Sequence, residues 1–174
     1  MPVHVIGDTL PQVIQFPKIY MEEQGVLKLK PIGVIHSPYH AGQVPYQGCG
    51  REEIGEVEVF EQFAEGLKDI ERFSHIVLVY WFHKSTGYSL TVTPSWDTTP
   101  HGLFTTRSPN RPCPLGVSVV RLVARKGNTL KVKDLDAVDG TPLLDIKPYV
   151  PIVDEKSDKL AGLKISKAKN RGKE

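Results

Sequence analysis

The chain has 174 residues, 40% of them hydrophobic and 24% charged, the proportions of an ordinary globular protein with room for a proper core. Its net charge of +2 permits a nucleic-acid partner without arguing for one. The cysteines, Cys49 and Cys113, form no CxxC pair, so neither a disulfide framework nor a zinc site is indicated, and a reducing, cytoplasmic setting is the simplest reading.

No basic region followed by an apolar core opens the chain, so no signal peptide is expected. The longest apolar run, residues 76–82, is too short to span a membrane. Residues 1–25 read as irregular because Pro2, Pro11 and Pro17 break any helix, although the apolar stretches 3–6 and 13–16 suit an edge strand on the body or on a neighbouring subunit. Residues 27–36 alternate as a strand that Pro31 confines to an edge or a bulge. The proline- and glycine-rich stretch 37–50 is a long loop, and its tyrosines and Gln47 favour a functional one. Residues 56–60 alternate as a strand. Phe60, Phe63, Ala64, Leu67 and Ile70 then fall at helical spacing, predicting a helix over 61–70 with a core-facing stripe. The β-branched and aromatic run 74–83 reads as a buried central strand, and 89–93 as a short one before the proline-bounded loop 94–100.

The segment 101–122 is the centre of the sequence. Its loop, Arg107 to Pro114, holds three prolines within six residues; each fixes its own φ and pushes the preceding residue out of the helical region. Such a loop is stiff, cannot be a central strand, and holds the guanidiniums of Arg107 and Arg111 in set directions. That suits an anionic, planar ligand; a stiff connection with solvated arginines is the plain alternative. Residues 116–125 alternate with Val117 and Val119 on one face and Ser118 and Arg121 on the other. Residues 126–129 carry hairpin-turn chemistry, and 130–135 return as the partner strand. Loop 136–142 leads to a last short strand, 143–146. From Asp154 the composition turns polar and lysine-rich. Many short strands, one helix and frequent turns argue for a mainly β, antiparallel, barrel-like single domain over 28–153, between an N-terminal extension, 1–27, and a basic tail, 154–174.

Familiar catalytic signatures are missing. Gly48-Cys49-Gly50 lacks the third glycine and helix of a dinucleotide fingerprint, and no Walker A, HExxH or GxSxG occurs. His36 and His40 lie across a turn rather than on a helix, so no metal site is expected, and Cys113 between two prolines reads as structural. The cluster Asp134, Asp136 and Asp139 either caps its own backbone or hydrogen-bonds a ribose, an adenine amine or a cation. With Lys147, Tyr149, Arg107 and Arg111 it could line a nucleotide site, where stacking on an aromatic contributes about 1–3 kcal/mol per base. The residues alone name no reaction.

The segments GLFTTRSPNRPCPLGVSVVRL and DLDAVDGTPLLDIKPYVP, with PIGVIHSPY, VPYQG and FSHIVLVYWFH upstream, resemble the TrmO family, also called TsaA-like. The resemblance runs from about Lys30 to Pro151, in one order throughout. Cys113 stands where relatives usually have Asn, which weakens any role for that side chain, and the chain is expected to be a short form without the extra C-terminal domain of longer members.

The resemblance implies an S-adenosylmethionine-dependent tRNA methyltransferase on a β-barrel, working as a homodimer on N6 of threonylcarbamoyladenosine beside the anticodon of threonine tRNA. It further implies cofactor contacts at Pro45, Tyr46, Gln47, His83, Lys84, Arg107, Val117, Asp134, Leu135, Asp136 and Ala137. Methyl transfer requires the target nitrogen to lose a proton, and Asp139 and His83 are the candidate acceptors. Arg111, Lys147 and Tyr149 are the candidate substrate contacts. The competing class is a binding module that holds S-adenosylmethionine or RNA without transferring a methyl group.

Overall fold

The structure, a computed structural model, describes residues 3–5, 27–42, 44, 52–94 and 97–155. Strands β1 (Val3–Val5) and β2 (Leu27–Leu29) pair in parallel as a separate two-stranded sheet, so the first apolar stretch of the chain does add a strand. The expected strand 27–36 is split: Pro31 ends one piece, and β3 (Gly33–His36) belongs to the main sheet.

That sheet continues through β4 (Gly55–Val59) and β5 (His75–Trp81). A small antiparallel pair follows, β6 (Thr91–Val92) and β7 (His101–Gly102), and then come β8 (Leu115–Lys126), β9 (Thr129–Lys133) and β10 (Thr141–Pro148). The order β10–β3–β4–β9–β8–β5 closes on itself with every neighbour antiparallel, which leaves the barrel no open edge. Period-2 alternation fills the interior: Val57 and Val59 from β4, Ile76, Leu78 and Tyr80 from β5, Leu130 and Val132 from β9 are all buried. Gly33 allows β3 and β4 to close up, since a Cβ there would lie 2.1 Å from the Glu58 carbonyl oxygen. The turn between β8 and β9 uses Gly127 at φ +61°, and the Asn128 carboxamide ties the hairpin to β4 by donating to Val59 O at 2.7 Å.

The predicted helix 61–70 is two short 3-10 helices, Glu61–Leu67 and Ile70–Arg72, and a four-residue α-helix, α1, spans Pro151–Asp154. The tighter winding stops at Lys68, whose ψ of 132° is extended, and Asp69 follows in the left-handed region, so the stripe buries Leu67 without building an α-helix. Pairing also decides which face of β8 is inner. Val117 and Val119 face outward, whereas Gly116, Ser118 and Val120 point into the barrel. Pairing decides this: Tyr80, Leu78 and Ile76 lie opposite Gly116, Ser118 and Val120, and only a glycine leaves space for the Tyr80 ring.

Candidate functional site

One end of the barrel opens into a cavity of about 560 Å³, in the range of small-molecule sites. Its wall is built from residues 82–85 after β5, the loop 106–111, the start of β8 at 115–117, residues 136–138 before β10, and residues 41, 42 and 44 of the loop after β3. The stiff loop is held in place from both sides. Ser85 Oγ donates to Asn110 Oδ1 at 3.0 Å, and Phe82 N donates to Pro114 O at 2.8 Å. Arg111 serves the loop itself: its Nη1 donates to Thr106 O at 2.9 Å, and its guanidinium lies 5.6 Å from the centroid of the Phe104 ring.

Arg107 and Lys84 line the same cavity, are exposed, and carry no hydrogen bond or ion pair among the described residues. They are free to meet an anion. His83 is half-buried on the cavity wall, and burial and then the neighbouring Lys84 hold its imidazole below the ordinary range against weaker opposing effects of the Trp81 carbonyl and Asp139. The Thr141 hydroxyl gives its one proton to Val138 O at 2.6 Å, so toward His83 Nδ1, at 3.5 Å, it can only accept. That contact favours a proton on Nδ1 and a lone pair on Nε2.

At the inner end of the cavity lies a cluster of oxygens. Tyr80 Oη is 2.9 Å from Ser118 Oγ and donates to Asp136 Oδ1 at 3.2 Å, while Ser118 Oγ donates to the same Oδ1. Burial, and then the charge of Asp136, pushes the Tyr80 phenol far above its usual range, so it remains a donor at any physiological pH.

The remaining expected residues divide by place. Val117 and Ala137 line the cavity; Leu135 is buried in the core against Gly55. Asp134 has φ +64° and turns the chain out of β9. Asp139 is outside the cavity lining; its Oδ1 accepts Ser37 N–H at 3.0 Å, and its own N–H reaches Tyr39 O at 2.9 Å. Lys147 and Tyr149 are carried toward the other end of the barrel, where Lys147 pairs with Asp145 at 2.7 Å and Tyr149 Oη donates to Glu155 at 3.2 Å. Pro45, Tyr46, Gln47 and Cys49 lie outside the described residues. Among the described residues no three His, Cys, Asp or Glu side chains converge as a metal site would require. Sequence reasoning missed Tyr80, Ser118 and Thr141.

The sequence profile of the tRNA-methyltransferase O N-terminal domain matches residues 34–155. A probable S-adenosyl-L-methionine-binding protein of Pyrococcus abyssi is 51% identical over 152 residues, 83% of this chain and 83% of that protein. The tRNA (adenine(37)-N6)-methyltransferase of Escherichia coli is 39% identical over 139 residues, 73% of this chain and 59% of that enzyme. A crystal structure of TrmO from Pseudomonas aeruginosa gives a TM-score of 0.67 at 34% identity, covering 79% of this chain and 62% of that one. The chain thus spans less than two thirds of the E. coli enzyme and of the solved TrmO chain.

Proposed function

This chain belongs to the tRNA-methyltransferase O family, and on that footing we propose that it transfers a methyl group from S-adenosyl-L-methionine to N6 of threonylcarbamoyladenosine beside the anticodon of threonine tRNA, in the cytoplasm. The single observation that carries the reading is the cavity's set of side chains: two cations and one carboxylate with no ion-pair partner among the described residues, and a neutral-leaning imidazole. These fit the cofactor. Its cationic groups match Asp136, its carboxylate matches Lys84 or Arg107, and the aromatic and aliphatic wall of Phe82, Leu115 and Val117 offers an apolar face to a base.

When bound, S-adenosyl-L-methionine supplies an electrophilic methyl group on a positively charged sulfur. The chain's own contribution is placement and proton removal. His83 would accept the proton that N6 must lose when it is methylated. Burial keeps the imidazole unprotonated for that task, and the favoured lone pair on Nε2 receives the proton. Asp139 suits the role less well, because its carboxylate already accepts the Ser37 backbone N–H. Lys84 and Arg107 take one carboxylate each, that of the cofactor and that of the threonyl group, or in the case of Arg107 a phosphate of the anticodon loop. Arg111 acts through the loop it braces.

A homodimer is part of the same reading. The outer face of β5 and β8 sets Val77 opposite Val119 and Val79 opposite Val117, and Val117, Val119 and Val123 are about half exposed at 52%, 45% and 46%. Val117 also lines the cavity, so a partner on this face would border the site. Light scattering of the wild type and of Val119→Lys tests this face.

The second reading, a protein that holds S-adenosyl-L-methionine without transferring its methyl group, is favoured by one observation: the P. abyssi relative, equal in coverage, is named as a binding protein only. Purified protein, cofactor and threonine tRNA with or without the threonylcarbamoyl group separate the two, with nucleosides read by mass spectrometry. A gain of one methyl on the modified nucleoside alone is expected. Cofactor binding with no gain on either tRNA establishes the second reading instead.

A further inference from the structure

We propose that Tyr80 and Ser118 are positioning residues for Asp136: they fasten one oxygen of its carboxylate from inside the barrel, so that the other faces the cationic part of the cofactor. The inference rests on the cofactor reading above. Asp136 sits on the connection between β9 and β10, where no strand ladder fixes it. Its Oδ1 accepts from both hydroxyls, whereas Oδ2 has no hydrogen bond and the carboxylate no ion pair among the described residues. An ionised carboxylate only accepts, so both hydroxyl protons end on it, directly or one through the other. The two donors are buried, at 2% and 5% exposure, and Tyr80 shares the cavity wall with Asp136. A half-buried carboxylate is ordinarily paired with a cation. Here the protein supplies two neutral donors on one side and leaves the charge for a ligand on the other.

The register of the barrel builds this arrangement. Tyr80 lies opposite Gly116, two positions from Ser118 on the same inward face, and the missing side chain of Gly116 is what lets the Tyr80 ring lie flat enough for its hydroxyl to reach both partners. Holding Asp136 beforehand spares the ligand the entropy of ordering a loop side chain, which is the general route by which preorganisation raises affinity.

The test is calorimetric titration of the full chain with S-adenosyl-L-methionine and, separately, S-adenosyl-L-homocysteine. The proteins are wild type, Tyr80→Phe, Ser118→Ala, Asp136→Asn and the Tyr80→Phe/Asp136→Asn double variant. Loss of one donor to the carboxylate is expected to weaken S-adenosyl-L-methionine binding about tenfold in either single hydroxyl variant, with KM for tRNA unchanged. The double variant should bind no more weakly than Asp136→Asn, since the tyrosine acts only through the aspartate. Equal losses for both ligands assign the ammonium group, which both carry; a loss confined to S-adenosyl-L-methionine assigns the sulfonium. Melting curves identify any variant that is merely unfolded, and Ser118→Ala then carries the test. Wild-type affinity in both hydroxyl variants, or full additivity in the double variant, overturns the inference alone. A wild-type protein that binds neither ligand overturns the cofactor reading and this inference with it.

Discussion

Gly116→Ala is the substitution that most directly joins the barrel to the site. An added Cβ would lie 2.2 Å from Tyr80 Cε2, 2.5 Å from Cζ and 2.8 Å from Cδ2. Carbon atoms pack best at about 3.5–4.0 Å, so the ring must retreat by about an ångström. It has little room, being buried and edge-on to Phe82 with ring centroids 5.4 Å apart. Overpacking of this kind costs about 1–3 kcal/mol. Displacing the hydroxyl also lengthens its contacts to Ser118 and Asp136, now 2.9 and 3.2 Å, and a hydrogen bond to a charged group contributes about 1.5–3 kcal/mol. Since the second loss is partial, the sum is about 2–4 kcal/mol, a fall in melting temperature of roughly 5–15 °C for a chain of this size. Circular dichroism melting and ligand calorimetry on the same sample check it. Cofactor affinity should fall with stability, because both pass through Tyr80. A variant that melts within about 2 °C of wild type and binds the cofactor equally well refutes the reasoning.

Four further substitutions probe other parts of the argument. His83→Gln should lower single-turnover methyl transfer by about 10²–10⁴-fold and abolish the acid limb of the pH–rate profile. In the wild type that limb should lie below pH 6.5, because burial lowers the imidazole and only its unprotonated form accepts the proton. The same shift gives a sign for stability: the unfolded chain takes up the proton more readily, so stability is full above about pH 6.5 and is lost as pH falls below it, measurable by denaturant titration. Arg107→Ala should raise KM for tRNA or Kd for the cofactor by about tenfold or more with the melting temperature unchanged, since its guanidinium has no hydrogen bond or ion pair among the described residues; unchanged binding and turnover remove Arg107 from the site. Gly33→Ala sets a Cβ 2.1 Å from the Glu58 carbonyl oxygen, a backbone clash that no rotamer relieves, and should cost about 4 kcal/mol or more; Gly66→Ala, with nothing within 4 Å, should be neutral or stabilise by up to about 1 kcal/mol. Equal melting temperatures for those two variants would contradict the packing of β3 on β4.

The barrel was legible because its signals are local. Alternation placed β4, β9 and the long β8 to within a residue or two, and proline positions found the strandless loop 107–114, although Pro31 splits the expected strand 27–36 rather than confining it to an edge. Two features depend on tertiary context instead. The stripe Phe60–Phe63–Leu67 satisfies i+3 as well as i+4 spacing, so it is compatible with 3-10 winding, and Asp69 at φ +64° ends the run in a way that composition does not announce. The inward face of β8 is set by β5: alternation separates two faces without naming the inner one, and the bulky Tyr80 requires a glycine opposite, which turns Ser118 inward and the valines out.

The same register explains what was hidden at the site. Arg107 and Asp136 stand out along the chain because charged groups in stiff or acidic loops are locally odd, and the barrel brings them to one cavity with Lys84. Tyr80 is not odd at all; within the run 75–81 it reads as a core residue and is one. Its hydroxyl gains a purpose only through partners 38 and 56 positions away: Ser118, which antiparallel pairing places beside it, and Asp136, on the connection from β9 to β10. Sequence neighbourhood misleads in the opposite sense for Lys147 and Tyr149. They follow the acidic loop by a few residues, but β10 runs the length of the barrel between them. From Tyr80, opposite Leu143, to Val77, opposite Lys147, is about 10 Å along β5, and His75, whose carbonyl accepts the Tyr149 N–H, is about 17 Å from Tyr80. A ligand in the cavity therefore meets the start of β10 and not its end. The cavity lies at one mouth of the barrel, and Tyr80 is the interior residue through which the packing of the core reaches it.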